Sequence, residues 1–424
     1  MRKRTLQYAS GLAIMSCLAL PALAQEDFPD PSPDAVVVVI NQVQLGDVFA
    51  NMDVVVDGTT SGASAVATAT GNGGSASALD NDLDFDATQR QDGSVTAQTS
   101  ITGESVYTNP AATVTTAYGN YTTAETTNGT VFSTVNQTSN AAVSASSVTD
   151  LNEAGDAVAT TTASANVTSY GTAPGTNRGF QTQSATADVT ASSQLDANYI
   201  ANSAMIGSTA TGNSISSYGS TTTNFNGALQ TIENTATIRS YTVANVDAGN
   251  DVNVSATAAA NNMTVDNAWG FATLGRDGSE VYQRSNADVE AESNLVLTEF
   301  TGLSGATAYG VGNSALISNI GSDTGMYTIQ QNNGDVDSAA YFEGTSGSGG
   351  AGYASATSIG NAATATLCYT CSSDGVLSGS TAQLNNSNTT ATAYARGGYG
   401  TYVSGAATAV GNSSTYKSTN TSGQ

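Results

Sequence analysis

From about Val36 to Asn412, apolar and polar residues alternate one by one. "SATADVTASSQL" and "MIGSTATGNSIS" are typical: Ala, Val and Ile take one parity, Thr, Ser and Asn the other. A period of two places successive side chains on opposite faces, as in a β-strand. No apolar stripe recurs at 3.6 residues, and Gly, Thr, Asn and Ser are weak helix formers. After Asp34 the only prolines are Pro110 and Pro174, as strand ladders require, because proline deletes a ladder hydrogen bond. The pattern predicts an all-β chain.

Two phrases recur along these strands. One reads Gln, five residues, Val, one residue, then Ala or Ser, at Gln42/Val48/Ala50, Gln89/Val95/Ala97, Gln137/Val143/Ala145, Gln183/Val189/Ala191, Gln283/Val289/Ala291 and Gln330/Val336/Ser338. Gln230 and Gln383 begin divergent copies. The second phrase ends in Asn, at Asn72, Asn120, Asn166, Asn213, Asn262, Asn313, Asn361 and Asn412, mostly as Gly-Asn. Successive glutamines lie 46 to 53 residues apart, and each precedes its asparagine by 29 to 32. Two markers in fixed phase define an internal repeat.

The expected architecture is a β-solenoid of about eight cycles of roughly 48 residues, each parsed as two rungs of roughly 24. Sixteen rungs rising about 4.8 Å each would span about 75 Å. Equivalent glutamines and asparagines would stack in register, their amides bonding along the axis. Aromatic-Gly pairs (Tyr118-Gly119, Tyr170-Gly171, Tyr218-Gly219, Trp269-Gly270, Tyr309-Gly310) read as corners.

Residues 1–24 read as a secretory signal peptide: "MRKR", an apolar run, then "ALA" before Gln25. Ile14-Met15-Ser16-Cys17 is a weaker alternative, a lipoprotein acylation box. Residues 25–35 form a Pro/Asp leader, 36–412 the solenoid and 413–424 a flexible tail. Beyond the signal segment, seven basic residues face 34 acidic ones, 7 − 34 = −27, which excludes nucleic-acid binding. The chain has no histidine, the usual general base and metal ligand. No catalytic, cofactor or metal residue is assigned. Cys368 and Cys371, in "LCYTCSSDG", are expected to form a local disulfide.

Three motifs come near to chemistry. Asp80, Asp82, Asp84 and Asp86 alternate and would share a strand face, yet a solvated acidic loop explains them better than a calcium site. Asp288/Glu290 and Asp335/Asp337 could serve a polysaccharide-cleaving β-helix, but no cleft signature accompanies them. The glycine-rich Gly344–Gly352 lacks a phosphate-loop lysine and reads as an insertion that lengthens the Gln330-to-Gln383 cycle.

"GVGNSA" at 310–315, the repeated Gly-Asn and the phased glutamines resemble curlin-type surface subunits, at twice the curlin period. Length, acidity and repeat style are more similar to the holdfast attachment (Hfa) proteins of stalked alphaproteobacteria, above all the HfaD family. The resemblance covers nearly all of 36–412 and rests on repeat style. It implies a non-enzymatic anchor at the cell surface, associated with the outer membrane. The implied partners are adhesive polysaccharide, companion anchor subunits and a curli-like export channel, with self-association open; adhesion and biofilm formation would follow. A polysaccharide-active β-helix enzyme and a generic curlin-like or ice-binding solenoid are the alternatives. Ice binding needs threonines flat on one face at every rung, whereas T-x-T stretches such as "ATAT" drift in phase.

Overall fold

The computed structural model describes residues 34–276, 280–347, 350–369 and 375–420, and every regular element among them is a strand. The signal segment and most of the leader lie outside the described residues.

The strands fall into eight consecutive coils. The first holds β1 (Val36–Gln44), β2 (Val48–Thr60) and β3 (Ala63–Leu79). The second holds β4 (Leu83–Gln91), β5 (Val95–Val106) and β6 (Ala111–Thr127). In the next three, the second and third strands merge: β7 (Gly129–Ser139) with β8 (Val143–Thr172), β9 (Gly175–Ala185) with β10 (Val189–Ser220), and β11 (Thr222–Ile232) with β12 (Thr237–Ala268). The sixth coil splits its first strand into β13 (Ala272–Leu274) and β14 (Val281–Ser285), then runs through β15 (Asp288–Phe300) and β16 (Leu303–Ile320). The last two hold β17 (Thr324–Asn332), β18 (Val336–Gly347) and β19 (Ala351–Tyr369), then β20 (Leu377–Asn385), β21 (Thr389–Tyr399) and β22 (Tyr402–Asn420).

Each strand pairs in parallel with its equivalent one cycle on, and the register joins like to like. Gln42 pairs with Gln89, Val48 with Val95 and Asn72 with Asn120. The chain is therefore a β-solenoid with three faces. A whole cycle makes one rung, which corrects the two-rung parsing. Eight rungs at about 4.8 Å span about 38 Å rather than 75. The period-two pattern could not separate these readings, since alternation is the same whether a rung takes 24 or 48 residues.

The recurring phrase now has a physical meaning. Its glutamine points inward at the end of the first face; its Val and Ala point inward at the start of the second. Val95, Val143, Val189 and Ile238 stack as one buried column, Ala97, Ala145, Ala191 and Ser240 as the next. One apolar cluster fills the space between the second face and the first half of the third. Another, including Leu83, Phe85, Tyr170 and Met263, lies between the first face and the rest of the third.

Several local expectations change. Tyr118-Gly119, Tyr170-Gly171, Tyr218-Gly219 and Tyr309-Gly310 lie within strands, and only Trp269-Gly270 sits at a turn, with Trp269 at φ 65°. Strand β22 runs to Asn420, so residues 413–420 belong to the last rung rather than a tail. Between Ile320/Thr324 and their partners Cys368/Leu377, the later rung has the longer connection, which holds "CYTCSSDG". That connection lengthens the cycle more than the glycine-rich run does.

Tyr170 is fully buried, and its hydroxyl donates to Asn226 Oδ1 at 2.6 Å. A Cβ on Gly179 would fall 2.2 Å from the ring, so the neighbouring rung needs glycine there. Burial raises the Tyr170 hydroxyl far above its usual value of 10.0. Burial, then the Glu125 carboxylate, pushes Tyr218 up to about 12. In both, the folded pKa exceeds the unfolded one, so the stabilisation is intact below pH 10 and is lost as pH rises above it. The denaturant midpoint should stay level from pH 7 to 9 and fall between 10 and 12. Tyr170→Phe should begin lower at pH 7, having lost the Asn226 bond, and fall less steeply. Equal slopes for parent and variant would refute the assignment.

Candidate functional site

Eight glutamines and eight asparagines form two continuous columns along the interior. Each glutamine amide donates to the Oε1 of the glutamine one rung earlier, from Gln89→Gln42 to Gln383→Gln330, at 2.7–3.0 Å. Gln137, Gln183, Gln230 and Gln283 are wholly buried. The asparagines run the other way: each Nδ2 donates to the Oδ1 one rung later, from Asn72→Asn120 to Asn361→Asn412, every time at 2.8 Å.

The columns also clasp each other. Each glutamine's other amide proton goes to the carbonyl just after the asparagine of its own rung, as in Gln183→Ser214 at 3.0 Å and Gln330→Ala362 at 2.8 Å. Each asparagine's second proton reaches the carbonyl just after the glutamine of the following rung, as in Asn120→Thr138 and Asn166→Ser184. Both N–H donors of each internal amide are thus used, which a buried amide needs. The seam ties the first face to the third and divides the two apolar compartments. Its opposed directions also oppose the two rows of amide dipoles.

In the fifth rung the column passes through Asn261, not Asn262: Asn213 donates to Asn261, and Asn261 to Asn313. Asn262 pairs with Ser214 and lends only its carbonyl, to Gln230. The residue before each column asparagine is Gly71, Gly119, Ala165, Gly212, Ala260, Gly312, Gly360 or Gly411. A Cβ on Gly119 would meet the Ala165 carbonyl oxygen at 2.6 Å, and one on Gly312 the Gly360 oxygen at 2.5 Å. In "ATAAANN" a small residue immediately before the asparagine selects Asn261, a signal present in the sequence.

Several carboxylates are used structurally. Asp47 accepts from the hydroxyl and then the backbone N–H of Ser94, which hold its carboxyl below the usual range. Asp188, Asp251, Asp288, Asp323 and Asp335 likewise accept the backbone N–H at a turn or strand start one rung later. Glu290 pairs with Arg239 on the outer surface at 3.3 Å. The Asp288/Glu290 and Asp335/Asp337 pairs thus form one stacked surface array. Asp80 and Asp82 take turn contacts with Asn128 and the Thr130 N–H, so they do not share a face with Asp84 and Asp86 of β4. No group of three metal-ligating side chains converges among the described residues. Arg178 lies between the Phe132 and Phe225 rings, 5.8 and 5.7 Å from their centroids. Cys368 ends up in β19, while its expected partner Cys371 lies outside the described residues.

The outward side of the third face carries one long hydroxyl column: Thr68, Thr116, Thr162, Thr209 and Thr257, then Tyr309, then Thr357 and Thr408. One threonine column therefore keeps phase. Two residues on, the positions hold Thr70, Tyr118, Ser164, Thr211, Ala259, Val311, Ile359 and Val410, so the flat double threonine array of an ice-binding face is missing.

A family model described as holdfast attachment protein D matches residues 32–147 and 58–335. No curated protein and no solved structure matches the chain.

Proposed function

The chain belongs to the holdfast attachment protein D family, and from that premise we propose that it is a rigid, non-enzymatic cell-surface anchor holding adhesive polysaccharide to the envelope. The observation that carries the reading is the outward hydroxyl column from Thr68 to Thr408, held on a scaffold whose register does not slip because both amide columns lock it. Single hydroxyl contacts with a glycan are weak. A row of them at fixed spacing engages one chain many times, and the effective concentration of the later contacts multiplies affinity. Companion surface subunits and a curli-like outer-membrane channel would deliver and seat the rod, and surface adhesion and biofilm formation would follow from its hold on the polysaccharide.

Deleting the gene should leave polysaccharide synthesis intact but release adhesive material into the medium, so that cells attach poorly. Lectin staining of cells and culture supernatant measures the partition. Unchanged shedding would sink the anchor reading, and shortening of the polysaccharide by purified protein would replace it with the hydrolase alternative.

A further inference from the structure

Among the described residues the two ends of the solenoid are uncovered and unlike each other. Inward positions that are buried in internal rungs, such as Val95 and Ala97, are only part-buried as Val48 and Ala50 in the first rung and as Thr389 and Ala391 in the last. Among the described residues nothing covers these columns at either end, and the parallel edge beside each has no strand partner.

Because the amide columns have direction, each end lacks what the other offers. At the first rung, Gln42 gives one amide proton to the Gly73 carbonyl, and its other has no acceptor among the described residues. Asn72 donates twice, but no described donor reaches its Oδ1. At the last rung the situation inverts: Gln383 donates twice and its Oε1 accepts nothing described, while Asn412 accepts from Asn361 and gives neither proton. The backbone agrees. Val36 N–H and Gln44 C=O bond toward the second rung, so the alternate residues, Val43 among them, turn their polar groups to the open edge. The carbonyl that an asparagine one rung earlier would seek is that of Val43. Charge follows the same division: residues 34–79 hold four aspartates and no base, residues 377–420 hold Arg396 and Lys417 and no acid.

We propose that the last rung of one copy docks on the first rung of a second copy, extending both amide columns across the joint. Gln42 then donates to Gln383, and Asn412 donates to Asn72 and to the Val43 carbonyl. Arg396 comes to the register of Val55, between Asp53 and Asp57. The contact joins two different surfaces and does not close on itself, so it builds a linear filament.

Sedimentation of the chain lacking residues 1–24 should show concentration-dependent association, weakened by salt, and negative-stain images should show rods in multiples of about 38 Å. Asn412→Asp keeps an oxygen for Asn361 and removes the donor; it should weaken association at least tenfold while melting like the parent. Arg396→Glu should also weaken association, although it gives up the Arg396–Glu343 pair at 2.8 Å within the chain, and mixing it with Asp53→Arg should restore association that neither shows alone. A monomer at every concentration overturns the proposal. So does association that survives Asn412→Asp and Arg396→Glu in folded protein. Removing residues 25–33 should change nothing; association appearing only then would make that segment the natural cover of the first rung and displace the second copy.

Discussion

Replacing Gln183 with leucine should destabilise the protein by about 1 to 3 kcal/mol, as leaving buried amide groups unpaired costs. Gln183 accepts from Gln230 at 3.0 Å and donates to Gln137 and to the Ser214 carbonyl, all inside the seam. Leucine matches its volume but satisfies none of these groups, and its apolar atoms interrupt a continuous polar column. Thr182 is adjacent in sequence and faces outward, so Thr182→Ala should cost less than about 0.5 kcal/mol. Gln383→Leu, at the open end, should fall between them, because no later rung depends on its oxygen. Denaturant melts of the three variants give the order, and equal midpoints for Gln183→Leu and Thr182→Ala would show that the seam contributes nothing.

Larger still is the difference expected between two deletions. Removing residues 183–229 joins Thr182 to Gln230, which already occupies the register of Gln183 one rung on. Every column then continues through seven rungs, and the protein should keep its β-type circular dichroism and cooperative melt while losing about 4.8 Å of length. Removing 183–206 instead joins Thr182 to Gly207, a residue of the third face. That chain loses one glutamine, places third-face side chains against the first face and leaves the Ser214 carbonyl without the Gln183 amide. It should not fold cooperatively. Were a rung 24 residues, the two deletions would behave alike, so soluble, cooperatively melting protein from the shorter deletion would refute the one-rung architecture.

These variants also show which features could be read from residues alone. Gln183 and Asn213 are identifiable because a buried amide must find donors and acceptors, and in a stacked chain its own copies supply them. Asn262 obscures Asn261 because composition and period suit either; the Gly or Ala that precedes the column asparagine in every rung is legible in the residues, and the close approach of Gly119 to the Ala165 carbonyl shows why that position stays small. The Tyr-Gly pairs misled for a related reason. Glycine is common at turns, but Gly171 and Gly179 lie in strands, where each leaves room for a ring from a neighbouring strand.

What the sequence alone determined is local and periodic: strand character from one-by-one alternation, eight cycles from two phased markers, and a strongly acidic net charge from the excess of acids. Such properties follow from neighbours along the chain or from counting. What the tertiary structure decided is how the chain closes on itself. Whether a cycle forms one rung or two, which threonines share a column, that the glutamine and asparagine columns run in opposite directions, and that the two ends are complementary all depend on where bends of the backbone set one strand over another. An alternating sequence is neutral to those bends, because shifting a strand by any even number of residues leaves the pattern of inward and outward residues unchanged.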